Sequence, residues 1–495
     1  MATVFQHFTS PIWLLVIIGA ALLHAALAPR SANPLAKYPL VSRRRWYDIL
    51  GFWERAEFLL MGARKPLVAA KEYELRQAFR IRDPWGEILV LPAEDAQYLK
   101  SHTSFAFELF FNGRTHASLN DGLAGFLELA KLPNIVSQGV KNNLTQVSNR
   151  WEEIPVSDAV VKIVHRVSSR TFIGDDGPRN AEWLDLAQNY TPDVSFAGFI
   201  LDLMPPQLRP LVQWFLPAIY RSRKQIRAAR RLVASMMDER RRQHEVQPAA
   251  AAVNPKERVV VASNDAIGWF DRAADGDVKL YDAAAAQLAL TFVADHTSAN
   301  FIMMVLLDLA RHPEVAKEVR REIEQEVNQI GWMGWEKGNL HRMKLLDSVI
   351  KESMRLRPIF FAAMLGGVTE AMSLKDGTVL PVGTRIAVAG DGNRDPAVYD
   401  RPDEWDAYRF YKMRQTGDRE DMAQLACATV EHAGFGVGKH SCPGRFYAAD
   451  VMKIVLCHLL MKYDWKTLEG GPETVVMGWT QMVHPEAKIL VRRRG

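Results

Sequence analysis

Cysteine is the scarcest chemistry in this chain: only Cys427, Cys442 and Cys457 occur in 495 residues. An odd count of three gives no disulfide framework, and a reducing compartment fits better than an oxidising one. Charge of one sign is also in short supply. The formal net charge is +5 with no long basic tail, which argues against nucleic acid as a partner. Internal repeats are absent, and no inner domain boundary is visible. What is present is an ordinary globular composition, 48% hydrophobic and 24% charged, able to bury a large core.

The longest apolar run is Ile12–Ala28, IWLLVIIGAALLHAALA, just long enough to cross a bilayer as a helix. A cleaved signal peptide would have a shorter apolar core and a basic stretch before it. Residues 1–11 hold no Lys or Arg, and the basic residues Arg30, Lys37, Arg43, Arg44 and Arg45 come after the run. The charge asymmetry places the bulk of the chain in the cytosol. The expected organisation is a lumenal end at 1–11, a transmembrane anchor at 12–28, a hinge at 29–45 with Pro29, Pro34 and Pro39, and a globule from 46 to 495. The sequons at Asn143 and Asn189 are incidental in that orientation.

Within the globule, Ile88–Leu91, Thr378–Leu380, Arg385–Ala389 and Ile489–Val491 have the character of short strands. Helical periodicity covers Ser222–Glu245, about Leu280–Arg311, about Met343–Arg357 up to Pro358, and about Pro443–Lys462. The expected fold class is mainly α with a minor β-sheet component, preceded by one N-terminal transmembrane helix. Cys457, set among Val455, Leu456, Leu459 and Leu460, is expected to be an inert core thiol.

Cys442 stands in a different setting, Phe435-Gly-Val-Gly-Lys-His-Ser-Cys-Pro-Gly-Arg-Phe-Tyr-Ala448. A thiolate needs positive surroundings or N–H donors to persist. Gly436, Gly438 and Gly444 let the backbone approach a flat ligand and turn amides toward sulfur. A helix beginning at Pro443 would add its N-terminal dipole. The segment resembles the haem-binding signature of the cytochrome P450 family, with Phe435, Gly438, His440, Cys442 and Gly444 in the family's places. The resemblance implies haem b with Cys442 as axial iron ligand. It implies a propionate contact for His440 and packing of Phe435 near the sulfur.

Two further segments are similar to the same family. Glu352-Ser-Met-Arg355 matches its Glu-x-x-Arg pair, and Pro402–Phe410 matches the loop that supplies a third member, here Arg409. The implied role is scaffold and haem retention. Ala294-Asp-His-Thr-Ser298 resembles the oxygen-activating helix motif, with Thr297 as the hydroxyl and His296 where an acid is usual. Either His296 or Asp295 would then relay protons. The alternative for Thr297 is a bond to its own helix backbone. The family's early propionate-binding Trp and basic residue have no clear counterpart, Lys141 being a poor candidate. Gly367 stands where an Arg is frequent.

The resemblance implies a monooxygenase of the endoplasmic reticulum membrane, single-pass, with its catalytic domain cytosolic. Electrons would come from NADPH through NADPH–cytochrome P450 reductase, docked near Lys439 and Arg445. Aromatic Ser104–Phe111, with Phe292, Phe360, Phe361 and Met482 where the resemblance puts the cavity lining, suggest an apolar, bulky substrate. The Ala294-Asp-His-Thr-Ser298 variant resembles a subset of fungal members that act on terpenoid or polyketide skeletons, which implies a fungal terpenoid or related secondary metabolite. A haem-thiolate isomerase or dehydratase without external electrons, and a non-catalytic haem-binding protein, stay open as alternatives.

Overall fold

The computed structural model describes residues 35–42, 46, 48, 51–63, 67, 77–106, 132–144, 147–205, 207–246, 265–273, 282–332, 334–417, 419–468, 470 and 473–494. The expected anchor at 12–28, most of the hinge, and Phe107–Phe111 lie outside them.

The principal elements, in chain order, are α1 (Phe52–Met61), β1 (Phe79–Asp83), β2 (Gly86–Leu91), β3 (Phe105–Ala106), α2 (Leu132–Asn143), β4 (Glu152–Pro155), α3 (Val156–Ile173), α4 (Ala181–Leu203) and α5 (Pro217–Val246). There follow α6 (Ala283–Arg311), α7 (Pro313–Ile330), α8 (Lys344–Leu356), β5 (Ala362–Val368), β6 (Arg385–Ala389), α9 (Arg445–Lys462), β7 (Tyr463–Thr467), β8 (Thr474–Met477), β9 (Thr480–Val483) and β10 (Lys488–Arg493). Helices dominate, and the sheets are small, as the periodicity predicts.

The largest sheet has the order β1-β2-β6-β5-β3. Its one parallel pair, β2 with β6, joins Leu89 to Ile386 across most of the sequence. Three strands, β4-β10-β7, tie the C-terminus back to the start of α3. The hairpin β8–β9 reaches α6, where the Asn300 side-chain oxygen accepts from the Val483 amide at 2.7 Å.

The main core is built where α3, α6, α8 and α9 meet, and it holds Val164, Ile302, Leu306, Val349, Met452 and Leu456. Burial of that much apolar surface is the dominant stabilising term. Among the described residues, α6 is the one helix long and apolar enough to cross a membrane, yet most of its apolar stretch is packed inside the globule. It starts at Ala283, three residues later than its periodicity predicts. Asp282 caps it there, its side chain accepting from the Ala285 amide at 3.1 Å.

The helix after Cys442 also starts late, at Arg445 instead of Pro443. Gly444 adopts φ −83°, ψ 8°, outside helical geometry, and the Cys442 amide is tied to the Phe435 carbonyl at 2.7 Å. That bond closes the cysteine loop before the helix can begin.

Candidate active site

The sequence-predicted site residues fall into three groups, the first being the Cys442 loop. The loop itself is folded back on the β-sheet side of the molecule. Gly436 and Gly438 have φ of 75° and 62°, a region that favours glycine. The Lys439 amide donates to the Lys100 carbonyl at 3.1 Å, and a Cβ on Gly438 would come within 2.3 Å of that same oxygen. The Arg445 guanidinium donates to the Cys442 carbonyl at 2.9 Å. Burial pushes the Cys442 thiol up, while the Gly444 amide and the nearby Arg445 charge pull it the other way. Unlike the fully buried Cys457, which lies 3.7 Å from the Met343 sulfur, Cys442 is only partly buried.

Phe435 is buried in the main core. The His440 ring meets Phe105 edge-on at 5.1 Å between centroids. Phe105 lies on β3, which pairs with β5 through Phe105 with Val368 and Ala106 with Gly367. This gives Gly366 a local reason. A Cβ on Gly366 would stand 2.5 Å from the Phe105 ring. The strand therefore stays bare beside the residue that borders His440.

Behind the loop, Glu352, Arg355 and Arg409 come together. Arg355 grips both carboxylate oxygens of Glu352 at 2.8 Å. Arg409 Nε reaches the same two oxygens at 3.1 and 3.2 Å. The remaining Arg355 donors go to the carbonyls of Asn393, Pro402 and Glu404. The triad thus fastens two stretches, the one at Asn393 and the loop from Asp400 to Glu404.

The third constellation is on α6. In a helix that is otherwise largely buried, Ala289, Phe292 and Val293 are exposed, and His296 and Thr297 partly so. These positions follow i, i+3, i+4, i+7, i+8, one open face. Thr297 Oγ1 donates to the Val293 carbonyl at 2.7 Å, the backbone bond weighed above, which leaves its lone pairs free to accept. Burial, with His165 next in weight, pushes His296 down to about 4. Its imidazole is therefore neutral near pH 7. Asp295 points the other way, with 1% exposure, onto α3, where it pairs with His165. Sequence reasoning missed His165, because 130 positions separate it from Asp295 and nothing local marks it.

Of the expected pocket residues, Phe292 is exposed on the open face of α6. Phe360 packs against two cores and bridges Thr480 on β9, and Phe361 borders the β-sheet core. Met482 is half-buried on the same hairpin. Lys141 lies on α2. Lys439 is exposed, and the Arg445 guanidinium stacks 4.6 Å over the exposed Phe446 ring.

Comparison with known proteins bears on the same region. A family model described as Cytochrome P450 matches residues 129–493. The chain is 35% identical over 434 residues to the cytochrome P450 monooxygenase hepE of Aspergillus oryzae, covering 83% of this chain and 77% of that protein. It is 34% identical to the monooxygenase adrA of Penicillium rubens, covering 97% and 96%. With the monooxygenase TRI1 of Fusarium sporotrichioides it shares 32% identity over 94% of this chain and 86% of that one. The structure of a retinoic acid bound cyanobacterial CYP120A1 superposes with a TM-score of 0.64 at 18% identity, covering 89% of this chain and 96% of that one. That likeness speaks for the fold.

Proposed function

Because the chain belongs to the cytochrome P450 family, we propose that it is a haem-thiolate monooxygenase in which Cys442 holds the iron. On this reading it oxidises a bulky apolar molecule, of the fungal terpenoid or related secondary-metabolite class. The single observation that carries it is the Cys442 loop. A partly buried sulfur stands beside glycines that keep side chains off the approach, and an amide at Gly444 is turned toward it.

The residues present fit a haem. A Cβ on Gly444 would make an ordinary van der Waals contact with Sγ at 3.9 Å, so the glycine borders the sulfur. Gly444 N–H and Arg445 both favour the anion that burial disfavours, and an iron charge would complete that balance. His440 would contact a propionate, and the Glu352–Arg355–Arg409 triad would brace the loops that support the cysteine. When bound, the haem supplies reductive activation of O2 and transfer of one oxygen atom to a substrate C–H bond.

The protein's part is to hold substrate and to move protons. Phe292, Val293, Phe360 and Met482 offer apolar surface for burial of a substrate without charged groups. Thr297 presents hydroxyl lone pairs on the open face. The neutral His296 imidazole beside it has one nitrogen to receive a proton and one to give it. His296 is the better relay than Asp295, whose carboxylate is committed to α3.

The exposed Lys439, and Arg445 stacked on Phe446, would offer basic and apolar docking contacts to NADPH–cytochrome P450 reductase, the proposed electron donor. Residues 12–28 would anchor the chain in the endoplasmic reticulum membrane with the 46–495 globule in the cytosol.

The test pairs wild-type protein with Cys442→Ser. Wild type, reduced under carbon monoxide, is expected to give the thiolate-type Soret band, and Cys442→Ser to lose it. With reductase, NADPH and a panel of polycyclic terpenoids, wild type should raise one product's mass by a single oxygen. A Cys442→Ser protein that kept the band or the turnover would overturn the assignment.

A further inference from the structure

Away from the exposed Phe292 and Val293, α6 turns Asp295 into the protein. His165, near the middle of α3, is 2% exposed, and its Nδ1 pairs with Asp295 Oδ2. The His165 ring also meets the His296 ring edge-on, 5.5 Å between centroids. A carboxylate and an imidazole thus stand at adjacent positions of α6, and one histidine on α3 touches both. His165 is itself well fixed. Its own carbonyl accepts from Ser169 Oγ at 2.5 Å, and that hydroxyl accepts from Trp183 Nε1 at 3.1 Å. One turn away on α3, the Ser168 hydroxyl bonds Tyr447 of α9 at 3.2 Å.

Apolar surroundings make an unpaired polar group costly, by about 1–3 kcal/mol each. Yet His165 Nε2, Asp295 Oδ1 and His296 Nε2 are all buried without a hydrogen-bond partner among the described residues. Three such atoms in one cluster are more than packing alone explains. A helix–helix contact that needed only stability would be better served by aliphatic side chains of similar volume. Three atoms with spare hydrogen-bonding capacity suit a unit through which a proton is held and passed.

We propose that His165 is a positioning residue for His296. It holds Asp295, and with it this turn of α6, against α3, so that one tautomer of His296 stays aimed at Thr297. This deepens the monooxygenase reading and rests on it. His165 touches neither substrate nor haem in this scheme. It acts through its two α6 neighbours, as an outer residue orients an inner one.

The experiment uses the full-length chain loaded with haem, as wild type, His165→Phe, His165→Asn and Asp295→Asn. An asparagine amide stands where Nδ1 stands, so His165→Asn keeps the bond to Asp295. The carbon-monoxide difference spectrum comes first, since none of the three substitutions touches Cys442. Wild type without the thiolate band would overturn the haem reading and this proposal together. A normal band in wild type and variants isolates the question of His165.

Nitrogen-15 spectra of labelled histidine in the reduced, carbon-monoxide form then report the His296 tautomer. A single tautomer is expected in wild type and His165→Asn, and a mixture in His165→Phe and Asp295→Asn. The rate at which reduced protein, mixed with oxygen, returns to the oxidised state is followed in H2O and D2O. His165→Phe should lower it about tenfold and alter its solvent isotope effect, with His165→Asn within about threefold of wild type, the scale on which outer partners act. If His165→Phe fails to fold, Asp295→Asn against His165→Asn carries the same comparison. Unchanged tautomer, rate and isotope effect in His165→Phe or Asp295→Asn would overturn the proposal. So would a His165→Asn protein as impaired as the variant lacking the bond.

Discussion

Glu352 and Arg355 lie one turn apart on α8, both at 0% exposure, joined by two N–H···O bonds of 2.8 Å. An exposed pair at this spacing would contribute only tenths of a kcal/mol. Here the same pair is dry, and its worth lies in what else it holds. Arg355 also donates to three loop carbonyls, those of Asn393, Pro402 and Glu404. Lysine carries one charge but no planar fork and cannot match this set. Arg355→Met, which removes the charge, is expected to destabilise the fold by about 3–5 kcal/mol, the range for breaking a buried pair, and Arg355→Lys by less. Thermal unfolding and haem content of the purified protein measure it. Glu352→Gln should fall in the same range, because it leaves both Arg355 and Arg409 facing a neutral amide.

Much of this architecture was legible in advance. The α8 motif and the Cys442 loop each place their chemistry within a few positions, so their resemblance to the family's motifs could be read from the sequence. Arg409, about fifty positions on, was reachable only because Pro402–Phe410 resembles the family's loop that supplies the third member. The Asp295–His165 pair was not, for it depends on how α3 packs on α6, and long-range packing leaves no local trace. Helix ends were also missed by two or three residues. Periodicity marks the apolar face, whereas the Asp282 cap and the Cys442–Phe435 backbone bond decide where α6 and α9 start.

Gly438 is the position where the cysteine loop tolerates least change. Its φ is 62°, and an added Cβ would meet the Lys100 carbonyl at 2.3 Å. Backbone oxygen cannot swing aside as a side chain can. Gly438→Ala should therefore cost more than about 1 kcal/mol from backbone conformation alone. The displaced loop should also lower haem retention, while Gly377→Ala, at φ 80° in open space, should bear only the backbone cost. Haem stoichiometry of the two variants, side by side, separates collision from backbone strain.

Lys439 offers a cleaner handle on the proposed reductase face. Its backbone amide is committed to Lys100, but its side chain is exposed and not part of the loop's internal bonding. Lys439→Glu should leave the carbon-monoxide spectrum unchanged. It should slow reduction by NADPH–cytochrome P450 reductase about threefold to tenfold at low ionic strength, with the difference shrinking as salt is added, as expected of a steering charge. A reduction rate indifferent to the reversal would place the electron donor elsewhere.

His458 gives a prediction with a defined pH window. Its ring lies 4.5 Å from Trp332 between centroids, and neither ring nitrogen has a hydrogen-bond partner among the described residues. Burial, aided by the Lys462 charge, pushes it down from 6.5 to about 3. Between those values the unfolded chain binds a proton that the folded protein refuses. The unfolded state then holds more protons, so this histidine makes stability fall as pH drops from 6.5 toward 3. At about pH 5 the loss is about 2 kcal/mol, at 1.36 kcal/mol per pH unit. His458→Phe keeps an aromatic ring against Trp332 and removes the titration. Its gain over wild type should accordingly be greater at about pH 5 than at about pH 8 by that amount. Urea unfolding at the two pH values measures the difference, and an equal gain at both would mean that His458 takes up its proton without unfolding the core.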